Sequence, residues 1–351
     1  MKLSLLEKLA DPIERKPLSL ESSNSGTETF IENGILRAVD GATYPIVDGI
    51  PRFVLTGDIG QAQTSKAFGF KWKKRDTYDS PAARKAAADW YLEKYGFDSL
   101  DAWAAYFDSR ASVIDIGSGS GFSSSLFLES RRWTGRAMWV GVDISEAIDV
   151  AAERLASMPN THFVQGDALQ LPFGLASFDT VFSEGVLHHT PSTRQALLSA
   201  ASVLASGGEA NVYVYKKKAP LREFTDDFIR EQIAPLSDEE AWDAMRSLTE
   251  LGQALHATHA TVDLAVDVPL LGIKAGKHDV QRLIYWNFAK LFWNADLAFE
   301  ENVHINFDWY RPRYAHRQTE QQVRAWCEEA GLVIQRLHDS EAGFTVRAVK
   351  R

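Results

Sequence analysis

Residues 107–215 alternate short apolar segments with amphipathic ones, and this alternation constrains the fold of the 351-residue chain more than any other feature. The sequence predicts strands at VIDIG, MWVGVDIS, HFVQGDA, FDTVFSEG and EANVYVYK, with helices between most of them. Near-continuous apolar strands that alternate with helices are typical of a parallel sheet covered on both faces. We therefore expect a doubly wound α/β core, which resumes over residues 318–351 and closes with a hairpin of LVIQRLH and FTVRAV.

Three further segments surround this predicted core. Residues 1–56 hold short β-like pieces separated by Asn-Gly and Asp-Gly turn signals, which indicate a small β-rich unit. Residues 57–106 predict a helical N-terminal segment, and residues 216–317 predict a helical insertion, rich in Trp and Phe, after the fifth strand. The domain division is thus a β-rich unit, a helical segment, a core in two pieces and an insertion between those pieces.

Charge, apolar segments and cysteine content limit which binding partners and which cellular compartment we expect. The formal net charge of −9 is unfavourable for a phosphate backbone, so we expect no nucleic-acid partner. No segment approaches the ~20 apolar residues of a membrane span, and no apolar secretion signal is present, so we expect a cytoplasmic protein without membrane contact. A single cysteine, Cys327, excludes an internal disulfide. One basic run is predicted to be a solvated helix end, and it consists of Lys71, Lys73, Lys74 and Arg75.

A glycine-rich turn, DIGSGSG, joins the first predicted core strand to its helix at residues 115–121. Glycines allow the backbone to turn sharply there and to approach a ligand closely. A dinucleotide-binding fingerprint would need its third glycine at position 122, which is Phe122, and this counts against a nicotinamide-dependent oxidoreductase. Asp115, two residues before the first glycine, suits an ammonium group better than a pyrophosphate. The amino group of a methionine moiety is one such partner.

Two more carboxylates end the next two predicted strands. Asp143 follows the second strand, where an acidic residue can hold the two hydroxyls of a ribose. Asp167 ends the third strand, where it can accept a hydrogen bond from an adenine amino group. Because the carboxyl ends of parallel strands meet at one edge of a sheet, Asp115, Asp143 and Asp167 together predict one ligand site.

On these residues the chain resembles the class I methyltransferases, in particular the ubiquinone/menaquinone-type and related members, over residues 107–215 and 318–351. DIGSGSG, VDIS and GDALQLPF are similar to their cofactor, ribose and adenine motifs, and SFDTVFSEGVLHHT resembles their fourth-strand motif. The resemblance implies a seven-stranded Rossmann-like sheet and S-adenosyl-L-methionine as cofactor, with S-adenosyl-L-homocysteine as product. It also implies methyl transfer to an oxygen, nitrogen or carbon nucleophile of a small molecule. The residues carried over to the cofactor site are Asp115, Gly117, Ser118, Gly119, Gly121, Asp143, Ile144, Asp167, Ala168, Ser183 and Glu184.

The N-terminal unit resembles the small zinc ribbon that is fused to many such enzymes. Its four ligand positions correspond here to Asp11, Glu14, Arg37 and Asp40. An arginine and the absence of thiolates are incompatible with a tetrahedral zinc site, so we expect a degenerate ribbon that folds without metal and serves for docking or as a scaffold. The alternative is a hard-cation site formed by the three acidic residues.

His188 and His189 follow the fourth predicted core strand, where the acceptor atom would meet the methyl group. One of them can act as a general base, because histidine titrates near neutral pH. The alternative is that one caps the next helix and the other packs beside the cofactor. Methyl transfer can also rest on proximity and alignment alone. Separately, the segment FGFKWKK, residues 68–74, resembles the aromatic segment that covers the cofactor in related enzymes.

The segment FDWYRPRYAHRQT ends the insertion and returns to the core. Arg311 and Arg313 flank Pro312, and in an extended segment they would share a face as a forked pair suited to a carboxylate or phosphate. The alternative is a structural role, in which they bind Asp308 or a core acid. Two rival functions stay open, a non-catalytic scaffold with this fold and the oxidoreductase above. The residues predicted to bind a polar or anionic substrate are Asp308, Tyr310, Arg311, Arg313, Tyr314 and His316.

Overall fold

The computed structural model describes residues 1–27, 29–54 and 58–351, and its first unit is an antiparallel sheet. Polar and apolar positions alternate in the second and third strands of this sheet, so one face is buried and the other exposed. The expected boundary between the N-terminal unit and the helical segment, at residues 56 and 57, lies outside the described residues. The strands, in spatial as well as chain order, are β1 (Ser19–Gly26), β2 (Ile31–Arg37), β3 (Thr43–Val47) and β4 (Ile50–Pro51).

Three helices connect this sheet to the core. Each begins after a residue whose side chain accepts a hydrogen bond from the backbone N–H three positions further on, and these residues are Asp58, Ser80 and Ser99. The second helix ends at Gly96, which takes the left-handed conformation that glycine adopts without strain. The helices are α1 (Ile59–Lys73), α2 (Pro81–Tyr95) and α3 (Leu100–Asp108).

Strands and helices then alternate as the apolar pattern predicts. The strand residues are almost all buried, because helices cover both faces of the sheet. The elements are β5 (Ser112–Ile116), α4 (Phe122–Leu128), β6 (Met138–Asp143), α5 (Ala147–Arg154), β7 (Thr161–Gln165), β8 (Phe178–Glu184), α6 (Thr193–Ser202) and β9 (Leu204–Tyr215).

The insertion after β9 consists mainly of helices, and it also contains a small hairpin that the sequence did not predict. The two strands of this hairpin are short and antiparallel, and polar residues make up half of the first and three of the four residues of the second. Such segments carry little of the apolar alternation that marks a strand. The elements are α7 (Pro220–Ile233), α8 (Asp238–Ala257), β10 (Thr261–Leu264), β11 (Gly276–Asp279), α9 (Val280–Asn287) and α10 (Phe299–Tyr310).

The chain re-enters the core through α11 (Glu320–Glu329), β12 (Leu332–Asp339) and β13 (Gly343–Lys350). The central sheet has the order β12-β13-β9-β8-β5-β6-β7. Strands β5 to β9 are parallel, whereas β13 is antiparallel to both of its neighbours. This arrangement confirms the predicted fold class, a doubly wound seven-stranded sheet closed by a hairpin. The strand order reverses at β5, and ligands bind at such switch points, outside the carboxyl ends of the strands.

The N-terminal sheet packs directly on the core. The backbone N–H of Phe53 donates to the carbonyl of Gln165 at 2.8 Å, beside the end of β7. Leu36 and Ile46 are buried in the same apolar cluster as Val164 of β7. Burial of such side chains stabilises the contact by roughly 1.5–3 kcal/mol each. The partner of the N-terminal unit is therefore the central sheet of its own chain.

The four positions expected to match zinc ligands are engaged in other contacts. Asp11 accepts a hydrogen bond from the Tyr44 hydroxyl at 2.6 Å and others from backbone N–H groups. Arg37 and Glu14 form ion pairs with nearby side chains, and Asp40 accepts a bond from a backbone N–H. In the described parts of the chain, no three His, Cys, Asp or Glu side chains are grouped as they would be around a metal. The likeness to a zinc ribbon stays a prediction.

No helix in the described ranges has both the length and the apolar composition required to cross a membrane.

Candidate functional site

A cavity of about 560 Å³ opens at the carboxyl ends of the parallel strands and continues beneath the insertion. One wall consists of the turns that follow β5, β6, β7 and β8. The opposite wall comes from α1 and α2, and from α9 and α10 of the insertion. Both aromatic and polar side chains line the cavity, and clefts of this size are typical of sites for small molecules.

The glycine-rich turn lies at the floor of the cavity in a conformation that requires glycine. Gly117 and Gly119 have φ angles of +77° and +53°. A Cβ atom on Gly117 would lie 2.2 Å from the side chain of Val186, and one on Gly119 would lie 2.8 Å from the indole nitrogen of Trp72. Alanine at either position would therefore force both the turn and its neighbour to move.

Asp143, at the end of β6, lines the cavity and also holds the glycine turn in place. One carboxylate oxygen accepts the backbone N–H of Gly119 at 2.9 Å. The other accepts the backbone N–H and the hydroxyl of Ser145, at 2.8 and 2.6 Å. Burial raises the pKa of Asp143, while these hydrogen bonds and the charge of Lys71 oppose the rise. Ile144, Asp167 and Ala168 line the same wall, as do Gly117, Ser118 and Glu184.

Four of the predicted cofactor residues lie behind the turn or at its edge, outside the cavity lining. Asp115 is buried and accepts a hydrogen bond from the Ser124 hydroxyl at 2.5 Å, and burial raises its pKa to about 7. Ser183 donates to the carbonyl of Ile116 at 2.9 Å. Gly119 and Gly121 shape the turn and the start of α4. In this structure these residues position the ligand-facing ones.

The two adjacent histidines have different environments. His188 is fully buried outside the cavity lining, with its ring centroid 3.6 Å from that of Tyr215, and burial lowers its pKa well below the usual value. His189 lines the cavity, and its Nδ1 donates to the carbonyl of Tyr314 at 2.6 Å. Because Nδ1 carries the proton, Nε2 of the neutral ring is an acceptor. Burial lowers the pKa of His189 to about 4, so this acceptor is free of a proton near neutral pH.

Of the six residues predicted to bind substrate, Asp308 lines the cavity, as does its neighbour Trp309 in the same segment. Asp308 forms an ion pair with Lys71 of α1, whose side chain is 3% exposed. Burial alone would raise the pKa of Asp308, but the charge of Lys71 and the hydrogen bond from its ammonium group hold it below the usual range. The ammonium group of Lys71 also lies 3.8 Å from the ring centroid of Trp72. The prediction that Lys71 belongs to a solvated helix end is therefore wrong, because α1 turns it towards the insertion.

Tyr310 and Arg311 hold the insertion together. The Tyr310 hydroxyl donates to Asp226 at 2.9 Å. The guanidinium of Arg311 donates to Asp238 at 2.7 Å and to the carbonyl of Ile233 at 3.0 Å. These are the contacts of the structural alternative, in which Arg311 binds a core acid.

Arg313, Tyr314 and His316 lie along the surface between α1 and the core. The Tyr314 hydroxyl donates to Asp58 at 3.1 Å, and the His316 backbone N–H donates to the carbonyl of His188 at 2.9 Å. Arg313 is exposed, whereas Arg311 is 7% exposed. The two arginines do not form a forked pair, because Arg311 keeps helical backbone angles at the end of α10.

A second buried ion pair that the sequence did not single out stands beside the strand ends. Lys94 of α2 binds Glu184, which also accepts the Tyr95 hydroxyl at 2.7 Å. The ammonium group lies 3.4 Å from the ring centroid of Trp90 and 3.9 Å from that of Tyr213. Burial lowers the pKa of Lys94 to about 8. A lysine within the aromatic run WYLEKY was the available signal for this environment.

Comparisons with known proteins agree with this fold. Residues 114–212 match a family model described as a methyltransferase domain. The biotin biosynthesis bifunctional protein BioHC of Cellvibrio japonicus is 28% identical over 198 residues, which cover 55% of this chain and 36% of that protein. The erythromycin 3''-O-methyltransferase of Saccharopolyspora erythraea is 37% identical over 111 residues, covering 30% and 35%. A tRNA U34 carboxymethyltransferase of Sodalis glossinidius is 38% identical over 101 residues, covering 28% and 30%. The matches therefore span about a third of the length of these relatives.

Similar solved structures are more distant in sequence. A SAM-dependent methyltransferase from Aquifex aeolicus is 12% identical with a TM-score of 0.41, covering 80% of this chain and 98% of that one. One from Methanosarcina mazei is 19% identical with a TM-score of 0.37, covering 68% and 92%. The family match confirms the expected domain class for residues 114–212 and supports S-adenosyl-L-methionine as the cofactor of that domain.

Proposed function

We propose that this chain is an enzyme that transfers a methyl group from S-adenosyl-L-methionine to an oxygen, nitrogen or carbon nucleophile of a small molecule. One observation carries the proposal. A single cavity brings together the glycine turn, the strand-end carboxylates Asp143 and Asp167, and the unprotonated Nε2 of His189. A scaffold without catalytic activity has no use for an unprotonated base beside such a ligand site.

The polar groups of the cavity fit the parts of this cofactor. Asp143 would accept hydrogen bonds from the ribose hydroxyls, and Asp167 with Ala168 would contact the adenine. Gly117 and Ser118 would lie against the methionine end. The Ser118 hydroxyl is buried without a hydrogen-bond partner among the described residues, as expected of a group that bonds to a ligand. When bound, the cofactor supplies an electrophilic methyl group.

An acceptor hydroxyl or amine loses a proton when it is methylated. His189 would accept this proton, and Asp308 would stabilise the protonated ring. Nε2 of His189 takes up the proton as the bond to the methyl carbon forms, because Nδ1 already carries one. The charge of Asp308 raises the pKa of His189 and so favours the imidazolium that results. Lys71 holds Asp308 in place, and residues of α1 form part of the cavity wall beside them.

A small-molecule acceptor is supported by charge and by shape. The chain has a formal net charge of −9, which opposes binding of a nucleic-acid backbone. The insertion also covers the cavity, so an acceptor has to fit beneath α9 and α10. An unmodified tRNA pool that accepts radiolabelled methyl groups from the purified protein, in the absence of small metabolites, would contradict this part of the proposal.

Calorimetric titration with S-adenosyl-L-homocysteine tests the proposal. We expect one site per chain in the wild type and about ten- to hundred-fold weaker binding in Asp143→Asn. Hydrogen bonds to a charged acceptor contribute about 1.5–3 kcal/mol, which gives this range. Asp263→Asn, at an exposed position of β10, serves as the matched control and should bind like the wild type. Absence of binding by the wild type would remove the proposal, and unchanged binding by Asp143→Asn would remove the role of Asp143. Titration with NADH should give no signal.

A further inference from the structure

The part of the cavity beneath the insertion is lined by cationic side chains that surround one indole ring. Lys218, Arg222 and Lys290 all line the cavity. Their charged groups lie 5.8, 5.3 and 4.6 Å from the ring centroid of Trp309. Three cations are therefore concentrated on one side of the site, away from the strand-end carboxylates.

Lys218 reaches this position directly from the end of β9. Its ammonium group donates to the carbonyl oxygens of Glu341 and Ala342, the latter at 2.7 Å. It also lies 5.6 Å from the ring centroid of Trp286. In the described ranges, no carboxylate oxygen lies within 4.0 Å of the Lys218 ammonium nitrogen, so Lys218 forms no ion pair there. Two carbonyl dipoles do not neutralise a full charge.

Lys290 is more deeply buried, with 6% of the residue exposed. Its ammonium group donates to the carbonyl of Ile305 at 3.3 Å, and no ion pair includes it in the parts of the chain that the structure describes. The charge of Asp308 reaches Lys290, but the carboxylate of Asp308 binds Lys71. Lys290 therefore lines the cavity without an ion-pair partner of its own among the described residues.

Two acids close to the lysines are already engaged: Glu223 accepts the backbone N–H of Lys218 at 2.8 Å and pairs with Arg317, and Asp226 has several donors. It accepts both Arg222 at 2.8 Å and the indole N–H of Trp309 at 2.7 Å. The Tyr310 hydroxyl donates to it at 2.9 Å. Asp226 therefore neutralises Arg222 and fixes Trp309, and among the described residues it forms no ion pair with either lysine.

Buried charges without partners are unfavourable, and the two lysines show the effect. Burial, together with the charges of Arg222 and Lys290, lowers the pKa of Lys218 to about 7, although the charges of Glu223 and Asp226 act against this. Burial also lowers the pKa of Lys290 to about 7, and the opposing charges of Asp308 and Asp226 do not restore it. A bound anion would remove this penalty and restore both pKa values towards 10.5.

We propose that the acceptor substrate of the methyl transfer proposed above carries an oxyanion, a carboxylate or a phosphate, that binds between Lys218 and Lys290. Its ring or apolar part lies against Trp309 and Trp286. The rings of Trp309 and Tyr215 are 4.5 Å apart, and those of Tyr215 and His189 are 5.4 Å apart, so Trp309 and His189 lie within about 10 Å of one another. An acid whose anion lies at the lysines would extend along this row of rings, with its nucleophile directed towards His189.

Calorimetric titration of the full chain, saturated with S-adenosyl-L-homocysteine, tests this inference with benzoate, phenyl phosphate and the neutral benzamide as probes. We expect at least one of the two oxyanions to bind and benzamide not to bind, and the stronger of benzoate and phenyl phosphate identifies the oxyanion. Lys218→Met and Lys290→Met should each weaken that binding at least tenfold. Lys217→Met, at the exposed neighbouring position, is the matched control and should leave it unchanged.

A second measurement on the wild type needs no variant. At pH 8 the two lysines are mostly neutral in the free protein, so oxyanion binding should take up about one proton or more, measured in two buffers of different ionisation enthalpy. Four outcomes would each overturn the inference. The three probes could bind equally well, or neither oxyanion could bind. Binding could also be unchanged in both methionine variants, or could occur without proton uptake. If S-adenosyl-L-homocysteine itself does not bind, the proposed function fails instead.

Discussion

Replacing Asp308 with asparagine should destabilise the fold, because it leaves the ammonium group of Lys71 buried without its carboxylate. The two side chains are 3% and 27% exposed, for Lys71 and Asp308 respectively. Removing one partner of a buried ion pair costs about 3–5 kcal/mol, since the remaining charge loses its compensation. We therefore expect the free energy of unfolding of Asp308→Asn to fall by about this amount at pH 7.

The size of this loss has an upper limit that depends on pH. Lys71 can avoid the penalty by losing its proton, which costs about 1.4 kcal/mol for each pH unit below its ordinary pKa of 10.5. The limit is about 4.8 kcal/mol at pH 7 and about 2 kcal/mol at pH 9. In the variant the folded-state pKa of Lys71 is depressed, so the unfolded chain binds more protons and the deficit shrinks as pH rises.

Urea denaturation at pH 7 and pH 9 measures both effects. Wild type, Asp308→Asn, the exposed control Asp263→Asn and the double variant Lys71→Met with Asp308→Asn are compared at each pH. The control should match the wild type, and the double variant should recover most of the loss because no unpaired charge remains. A deficit that stays constant or grows from pH 7 to pH 9, or a double variant no more stable than Asp308→Asn, would refute the reasoning.

Two further predictions concern the segments outside the cofactor site. Arg311→Met should lower the melting temperature by roughly 5 °C or more, because it leaves Asp238 without its guanidinium. Arg313→Met, at an exposed position, should change the melting temperature little. Equal effects of the two variants in calorimetric melting would contradict this prediction. The N-terminal unit should fold without metal, so a chelator should leave the melting temperature unchanged, and stoichiometric zinc whose removal destabilises the protein would show that Asp11 and its three companion positions were misinterpreted.

The central sheet was predictable because the residues of each strand indicate a strand without reference to the rest of the chain. β-Branched and aromatic residues make up at least half of each of VIDIG, MWVGVD and FDTVFSE, and helices lie between these segments, which favours a parallel sheet. Once the sheet is parallel, the carboxyl ends meet at one edge. Asp143 and Asp167 then fall on the wall of one cavity as a consequence of topology alone.

Packing between distant segments decided the rest of the site. Lys71 meets Asp308 across 237 residues, and Lys290 meets Trp309 only because α10 folds back over the cavity. For the arginines Arg311 and Arg313 the sequence left substrate binding and a structural role both open, and the last helical turn directs Arg311 into the insertion. The sequence by itself determined the strands and helices of the core and the acidic residues at the strand ends. The tertiary structure determined which charges are buried and which lack a partner, because the partner of a long side chain depends on contacts that no local pattern encodes.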